Sequence, residues 1–423
     1  MWQQMDEGFW QKNRVSKTDD VSESVLEIID QVRKGGDKAL RELTAKFDKA
    51  DLKSFRVTRD EIDEAYDRVS PELVEELENA AASIEDFHMM QRPRDLWLTE
   101  VSPGVTLGVK SVPLERVGCY VPGGRASYPS TALMCVIPAK VAGVDEVICC
   151  TPPPVSPLTL VAMDIAGADE IYKLGGTQAV AAMALGTESI EPVQKIVGPG
   201  NVYVTAAKTL LRNVVEIDFP AGPSEIGIIA DGTADPRFVA ADIIAQAEHD
   251  PSSAAVLVTN SPGLAEAVGK EIEAAVKKSD RRKIITEAMK NSGYIIADTI
   301  EHAAAIMNEM APEHLSIQTA DAFSVLSMVR NAGSIFIGPY TPVAAGDYAS
   351  GTNHVLPTAG HAKTCSGLNV AHFMKTSTVQ MLTREGLEEL SDTIDAIASA
   401  EPYPFAWMID HSYLLRSGIS DGR

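Results

Sequence analysis

Apolar residues recur at helical spacing over the first ninety residues of the chain. Val25, Ile28, Ile29 and Val32 form one stripe, which Gly35-Gly36 ends. The later stripes consist of Leu40, Leu43 and Phe47, and of Leu73, Leu77, Ala81, Ile84 and His88. This pattern predicts a helical region in which His88 is a hydrogen-bonded core histidine. Residues 1–20 are more polar and predict either an arm that docks on another surface or a frayed terminus.

From about Val101 the pattern changes to short apolar runs that alternate with helices rich in small residues. The expected strands are Val117–Val121, Glu146–Cys150, Glu170–Leu174, Glu225–Ile229, Ala255–Thr259, Tyr294–Ala297, Leu315–Gln318 and Ser334–Ile337. This spacing predicts parallel α/β structure with helices on the sheet faces, as two sheets or as one long interrupted sheet. A last helix precedes residues 401–423, whose aromatic residues predict docking on another surface such as a second subunit.

Composition and charge narrow the class of partner. The chain has 423 residues, enough for two or more domains, and its 37 basic and 59 acidic residues give a net charge of −22. That charge disfavours nucleic acid and anionic membranes, because both are polyanions. The five cysteines form no C-x-x-C pair, and neither a signal-peptide pattern nor an apolar run of about 18 residues occurs. A soluble, cytoplasmic protein is therefore expected.

Three glycine-rich turns follow expected strands and lead into expected helices. They are Val121–Arg125, Gly175–Gln178 and Gly198–Asn201. Backbone N–H groups at such helix starts suit a phosphate or the amide of a nicotinamide. None of the turns matches G-x-G-x-x-G or the phosphate-binding loop, and tight α/β turns need glycine regardless of ligand. Their number nonetheless favours a dinucleotide.

Three polar segments combine residue types that suit metal binding or proton transfer. The first is Gln246-Ala247-Glu248-His249-Asp250-Pro251, which ends an apolar-periodic helix and is either half of a metal site or a solvated helix end. The second is Glu313-His314, at the start of a strand, where a bend before the strand would let both side chains reach one pocket. The third is the loop that carries Asp347 and His354, for which capping and turn roles are the alternative.

Several segments together resemble the histidinol dehydrogenase family. They are GCYVPGGRASYPSTALM, LGGTQAVAAMALGTESI, GPGNVYVTAAK, FPAGPSEI, AQAEHDP, APEHL and GDYASGTNHVLPT, in the family's order. The resemblance covers nearly the whole chain. It implies a zinc-dependent, four-electron oxidation of L-histidinol to L-histidine through histidinal, with two NAD reduced, as the last step of histidine biosynthesis.

The resemblance also implies roles for individual residues. Tyr120, Gln178 and Asn201 would contact NAD. Zinc would be held by Gln246, His249 and Asp347. His314 would be the general base for the alcohol step, and Glu313 would activate the water that hydrates the aldehyde. The L-histidinol site would be lined by Ser224, Gln246, His249, His314, Asp347, His354 and Glu401.

The implied architecture is an intertwined homodimer. Each chain would contain two Rossmann-like parallel-sheet domains, one inserted in the other, with a helical N-terminal region and a C-terminal tail that reaches the partner's active site. The corresponding boundaries are residues 1–20 for the arm, 21–119 with 225–368 for the metal-binding and catalytic domain, 120–224 for the inserted NAD-binding domain, and 369–423 for the tail.

The tail departs from the family pattern at one position. The family has a Glu and, five residues later, a His that completes the metal site across the dimer. Spacing from Asp347 places the Glu at Glu401 and the His at Ala406. Either His411 replaces the missing ligand, which is the expectation here, or the site has one protein ligand fewer.

Two other functions stay open, the first of them because of the altered tail. One is NAD-dependent oxidation of another primary alcohol, such as 2,3-dihydroxypropane-1-sulfonate, on the same scaffold. The other is a catalytically inactive, NAD-binding or metal-sensing regulatory protein. Retention of both Glu313 and His314 speaks against the regulatory protein, because such a protein has no need of paired proton-transfer groups.

Overall fold

The computed structural model describes residues 2–12, 18–123, 127–220 and 222–401. These residues divide into two compact units, 2–92 with 114–373 and 93–113 with 374–401. The strands of the described residues are β1 (Leu96–Ser102), β2 (Val105–Pro113), β3 (Arg116–Tyr120), β4 (Glu146–Thr151), β5 (Glu170–Lys173), β6 (Lys195–Val197), β7 (Glu216–Ile217), β8 (Glu225–Ala230), β9 (Ala254–Thr259), β10 (Gly293–Ile296), β11 (His314–Gln318), β12 (Ser334–Ile337) and β13 (Met374–Leu382).

The α-helices occupy the segments between and before the strands. In the described residues they are α1 (Thr18–Phe47), α2 (Arg59–Tyr66), α3 (Pro71–Met89), α4 (Pro129–Ala142), α5 (Pro157–Ile165), α6 (Gly176–Leu185), α7 (Val202–Leu210), α8 (Pro236–Ala247), α9 (Pro262–Val276), α10 (Arg282–Ala288), α11 (Ile300–Met310), α12 (Ala322–Met328), α13 (Val343–Tyr348) and α14 (Arg384–Ala400). None of them is long and apolar enough to cross a membrane. The predicted helix end at Gly35-Gly36 is a break inside α1, where Gly36 has φ 49° and ψ −135°.

The first unit contains two five-stranded parallel sheets rather than one interrupted sheet. The strand order is β5-β4-β3-β6-β7 in the first sheet and β10-β9-β8-β11-β12 in the second. Strands β4 and β8, in the interior of the two sheets, are buried and mostly apolar after a first glutamate, as expected of strands whose two faces are covered by helices. The first sheet packs α4 and α5 together on one side, and α1 packs on α6 and α7. The expected α/β fold with parallel sheets is confirmed, whereas the insertion of one domain in the other stays a prediction.

The N-terminal arm docks on the second sheet. Gln4 bridges to Tyr294 of β10, and Trp2 donates its indole N–H to the carbonyl of Ala265 at 3.0 Å. Trp10 is only 6% exposed and joins the apolar core beneath α11. Of the two alternatives for this segment, residues 2–12 therefore form a docked arm. The arm covers the edge strand β10, whose backbone groups would otherwise lack partners.

The second unit is a three-stranded antiparallel sheet with one helix. Its strand order is β1-β2-β13, and α14 contacts β13. Several large apolar side chains of this unit are exposed: Leu96, Trp97, Leu98, Val101, Met381 and Ile397. The sequence pattern did not predict this sheet, because two of its strands come from segments about 260 residues apart, and β1 carries no buried face.

Candidate active site

The catalytic candidates meet at the amino ends of the strands of the second sheet. β8 begins directly after Ser224, and its neighbour β11 begins at His314, directly after Glu313. Helix α8 runs back from β8 and ends beside the same edge, so Gln246 also reaches it. Ligands of open α/β sheets usually bind at the carboxyl ends of strands, so this edge is not the one that fold rules favour.

Glu313 lies at the centre of a short hydrogen-bond chain. Ser224 Oγ donates to Glu313 Oε2 at 2.5 Å, and the N–H of Glu225 donates to the same oxygen at 2.9 Å. Gln246 in turn donates its Nε2 hydrogen to Ser224 Oγ at 2.7 Å. Burial raises the pKa of Glu313, although His314 and both donors favour its ionised form. A buried carboxylate of raised pKa is suited to accepting a proton near neutral pH.

His314 lies between two carboxylates. Its Nδ1 is 3.3 Å from the Glu225 carbonyl and 3.6 Å from Glu313 Oε2, and its Nε2 is 3.6 Å from Asp347 Oδ1. Among the described residues, Nε2 has no partner within hydrogen-bond distance. Burial alone would lower the pKa of His314, but the carboxylates of Glu313 and Asp347 raise it to about 9. The imidazole is therefore an unusually strong base.

Asp347 and His354 complete the cluster from α13 and the loop that follows. His354 places Nδ1 3.0 Å from the main-chain oxygen of Asp347. Burial raises the pKa of the Asp347 carboxyl, but the surrounding histidines His314, His354 and His249 more than offset this and hold it below its usual range. Asp347 is thus an ionised carboxylate near three imidazoles.

His249 is near this carboxylate, in the turn that follows α8. Helix α8 ends at Ala247, and the N–H of His249 donates to the carbonyl of Gln246 at 3.3 Å in the turn that follows. The His249 side chain is exposed, whereas Gln246 is buried. The segment therefore both ends a helix, as the sequence predicted, and places one of the two residues in the core and the other at the surface.

Two residues that sequence reasoning missed support the cluster. Asn353 donates to the Met134 carbonyl at 2.7 Å and accepts from Val355 N–H, which fixes the backbone on both sides of His354. Asp242 is a buried carboxylate of α8 whose pKa burial raises to about 6. Its sequence signal was a charged residue among the apolar positions of a core-facing helix.

His88 occupies the core position predicted for it. It is fully buried, and its Nδ1 lies 2.7 Å from the Ile84 carbonyl. Its other ring nitrogen lies 3.4 Å from the amide of Asn353, so α3 supports the loop that carries His354.

The three residues predicted to hold zinc offer atoms of the types that zinc binds. Gln246, His249 and Asp347 offer an amide oxygen, an imidazole nitrogen and an ionised carboxylate, which are ligand types that zinc accepts. The amide nitrogen of Gln246 donates to Ser224 Oγ, so the amide oxygen of Gln246 takes no part in that hydrogen bond. No three His, Cys, Asp or Glu side chains of the described residues are grouped closely enough to hold a metal ion among themselves. A tetrahedral site would therefore need Gln246 and at least one further ligand.

The predicted cofactor residues lie at the carboxyl edge of the first sheet, as the strand-end rule expects. Tyr120 ends β3, and its hydroxyl accepts a hydrogen bond from Gly176 N–H at 3.0 Å. Gln178, in the first turn of α6, donates to Asp48 Oδ2 at 3.3 Å. Asn201 is the N-cap of α7 and accepts from the N–H groups of Tyr203 and Val204. Asn201 thus has a structural role that leaves its amide hydrogens for a ligand.

Two further site residues were predicted in the tail, Glu401 and His411. Glu401 is exposed at the end of α14, in the second unit. His411, with Ala406, lies outside the described residues. Within the first unit, the structure brings Ser224, Gln246, Glu313, His314, Asp347 and His354 into one connected cluster, with His249 within electrostatic reach.

Comparison with known proteins agrees across sequence and structure. Residues 11–405 match the family model described as histidinol dehydrogenase. Histidinol dehydrogenase of Methanosarcina barkeri is 54% identical over 393 residues, covering 92% of this chain and 91% of its own length. That of Methanothermobacter thermautotrophicus is 54% identical over 388 residues, covering 90% and 91%. The crystal structure of the Elizabethkingia anophelis enzyme superposes with a TM-score of 0.94 at 39% identity, covering 98% of this chain and 97% of that one.

Proposed function

This chain belongs to the histidinol dehydrogenase family, and on that premise we propose that it oxidises L-histidinol to L-histidine through histidinal, with zinc and two molecules of NAD. The observation that carries the proposal is the contact chain from Gln246 through Ser224 and Glu313 to His314 and Asp347. It supplies two adjacent proton acceptors and two candidate metal ligands in one cluster.

The two oxidation steps need different proton acceptors. In the first step the neutral form of His314 takes the proton of the substrate hydroxyl; since the carboxylates on either side raise its pKa to about 9, this form becomes the major one only at alkaline pH. In the second step Glu313 takes a proton from the water that hydrates the aldehyde. Ser224 holds the Glu313 carboxylate through a 2.5 Å hydrogen bond, and Gln246 holds Ser224. NAD, when bound, accepts the hydride in each step.

Gln246, His249 and Asp347 would hold zinc together with His411. Zinc, when bound, supplies a Lewis acid that orients the amine and imidazole nitrogens of the substrate. His354 and Glu401 are proposed to line the substrate site with Ser224 and the metal ligands. Tyr120, Gln178 and Asn201 are proposed to bind NAD from the edge of the first sheet.

The separate roles of His314 in the alcohol step and Glu313 in the aldehyde step can be tested by measuring each step alone. Glu313→Gln should slow the oxidation of added histidinal far more than NADH formation from L-histidinol in its first turnover. His314→Asn should do the reverse. The matched control is Glu309→Gln, because Glu309 is an exposed glutamate of α11 in an ion pair with Lys363. Equal loss of both half-reactions in both variants would contradict the separate roles.

The substrate is tested with L-histidinol beside 2,3-dihydroxypropane-1-sulfonate. NADH formation with L-histidinol and none with the sulfonate is the expected result. Turnover of the sulfonate alone would favour the alternative alcohol dehydrogenase, and no turnover with either would favour a regulatory protein.

We also propose a homodimer in the cytoplasm. The support for the dimer is the exposed apolar surface of the second unit, where Trp97 is 44% and Met381 60% exposed. A second copy of the chain would cover this surface, and Trp97→Glu should shift the protein toward monomer in sedimentation equilibrium. The support for the cytoplasm is that four of the five cysteines are buried and all five are free thiols.

A further inference from the structure

A buried ion pair lies between the proposed NAD-binding residues and the segment that leads to Ser224. It joins Lys208 of α7 to Asp218, which directly follows β7. The side chains are only 4% and 1% exposed, so both charges are removed from water.

The ion pair holds both backbone polar groups of Gly198. Lys208 Nζ donates to the Gly198 carbonyl at 2.9 Å, and Asp218 Oδ2 accepts the Gly198 N–H at 2.8 Å. The other oxygen of Asp218 accepts the N–H of Phe219 at 2.7 Å. One pair of charges thus fixes the glycine-rich turn Gly198–Asn201 and the start of the segment that ends in Ser224.

Gly198 also packs directly against the backbone of Tyr120. Its φ of +110° is a conformation that favours glycine, and a Cβ at this position would lie 2.2 Å from the Tyr120 carbonyl oxygen. Any shift of Gly198 therefore changes the packing against Tyr120 on one side and the position of Asn201 on the other.

Net stability is a weak explanation for this pair. Desolvation of two charges usually cancels their attraction, so uncharged replacements of similar volume are often neutral or stabilising. The contacts instead fall on the backbone of two loops that carry proposed ligand-binding residues. We propose that Lys208 and Asp218 are positioning residues, which set the turn Gly198–Asn201 against Tyr120 and tie it to the segment before Ser224. The link to NAD rests on the function proposed above.

The test uses the full-length protein with Lys208→Met, Asp218→Asn and the double variant. Each single variant leaves one buried charge without its partner and should lower the melting temperature. The double variant removes both charges at similar volume and should restore the melting temperature to near that of the unsubstituted protein. Its KM for NAD should nevertheless rise about 10- to 100-fold, because misplacement of binding groups by about 1 Å can have an effect of this size.

Hydrogen–deuterium exchange at Gly198 and Phe219 gives a readout that needs no turnover. Both amides donate to Asp218, so their exchange should speed up in the double variant while that of the second sheet stays unchanged. A matched control is Arg116→Met with Glu170→Gln. That ion pair also lies in the first sheet, with side chains 13% and 19% exposed, but it holds the amino end of β3.

The control pair should change the melting temperature without raising the KM for NAD. Wild-type exchange rates and KM values in the Lys208/Asp218 double variant would overturn the positioning role, as would an equal rise in KM in the control. If the unsubstituted protein oxidises no alcohol, the proposed function fails. Faster exchange at Gly198 and Phe219 would in that case still support the positioning of the two loops.

Discussion

Asp242 offers a test of how the active-site region is built, because it is a carboxylate of α8 that is buried and whose pKa burial raises even though the charge of His314 lowers it. Its oxygens accept long hydrogen bonds from Gln318 Nε2 at 3.5 Å and from Val343 N–H at 3.4 Å. Burial raises its pKa from 3.8 to about 6. These weak hydrogen bonds and the charge of His314 together do not offset the desolvation of the ionised form.

Whether Asp242 stabilises or destabilises the protein as pH rises depends on whether the folded or the unfolded chain holds the proton of its carboxyl group. Between pH 3.8 and about 6 the folded protein keeps the Asp242 proton while the unfolded chain releases it, so the contribution of Asp242 to stability falls as pH rises. Above that window the ionised carboxylate costs up to about 3 kcal/mol, since each pKa unit corresponds to about 1.4 kcal/mol. Below it the cost is absent.

Asp242→Asn removes the ionisable group and keeps its shape. We expect the variant to unfold with a free energy about 1–3 kcal/mol higher than the unsubstituted protein at pH 7, and with nearly the same free energy at pH 4. Urea unfolding followed by circular dichroism at both pH values measures the difference, and Asp280→Asn on the exposed surface is the control. A variant that is less stable at pH 7, or equally shifted at both pH values, would refute the reasoning.

Three further outcomes follow from the active-site contacts. Ser224→Ala should reduce kcat/KM for L-histidinol at least about 10-fold and lower the free energy of unfolding by about 1–3 kcal/mol, since Glu313 loses a hydrogen bond and the buried Gln246 amide loses its acceptor. Steady-state kinetics and thermal unfolding measure the two effects. Unaltered kinetics would remove Ser224 from the site. A chelator should abolish turnover with L-histidinol, and added zinc should restore it, whereas full activity in metal-free protein would contradict a metal-dependent site. His411→Ala should lower bound zinc per subunit, measured by atomic absorption, together with activity; unchanged metal content and turnover would exclude His411 as a ligand.

Eight of the ten strands of the two parallel sheets could be predicted from the sequence because their signal is local, whereas β6 and β7, with three and two residues, were missed. A run such as Glu225–Ala230 is apolar at every position after the first, and a helix of small residues follows it. The antiparallel sheet could not be predicted in the same way. Its β1 exposes nearly every side chain, and the pairing of β2 with β13 joins distant parts of the chain. The docked arm was one of two alternatives until the contacts of Trp2 and Trp10 distinguished them.

The active site, too, could be predicted from the sequence only in part. The sequence identified Glu313, His314 and Asp347 as candidates, but not the hydrogen bond that joins Ser224 to Glu313 across 89 residues of chain. It also gave no indication that the cluster would lie at the amino edge of its sheet, where β8 and β11 begin. Asp242 and Asn353 were missed because an acid within a helix and an asparagine within a loop have ordinary structural explanations in a sequence.

The central claim is that one cluster carries both oxidations, and the number of NADH molecules formed per L-histidinol tests it most directly. With limiting L-histidinol and excess NAD, the zinc-loaded protein should form two NADH for each L-histidinol consumed and release L-histidine. One NADH per substrate with histidinal as the final product, or no NADH at all, would contradict the account.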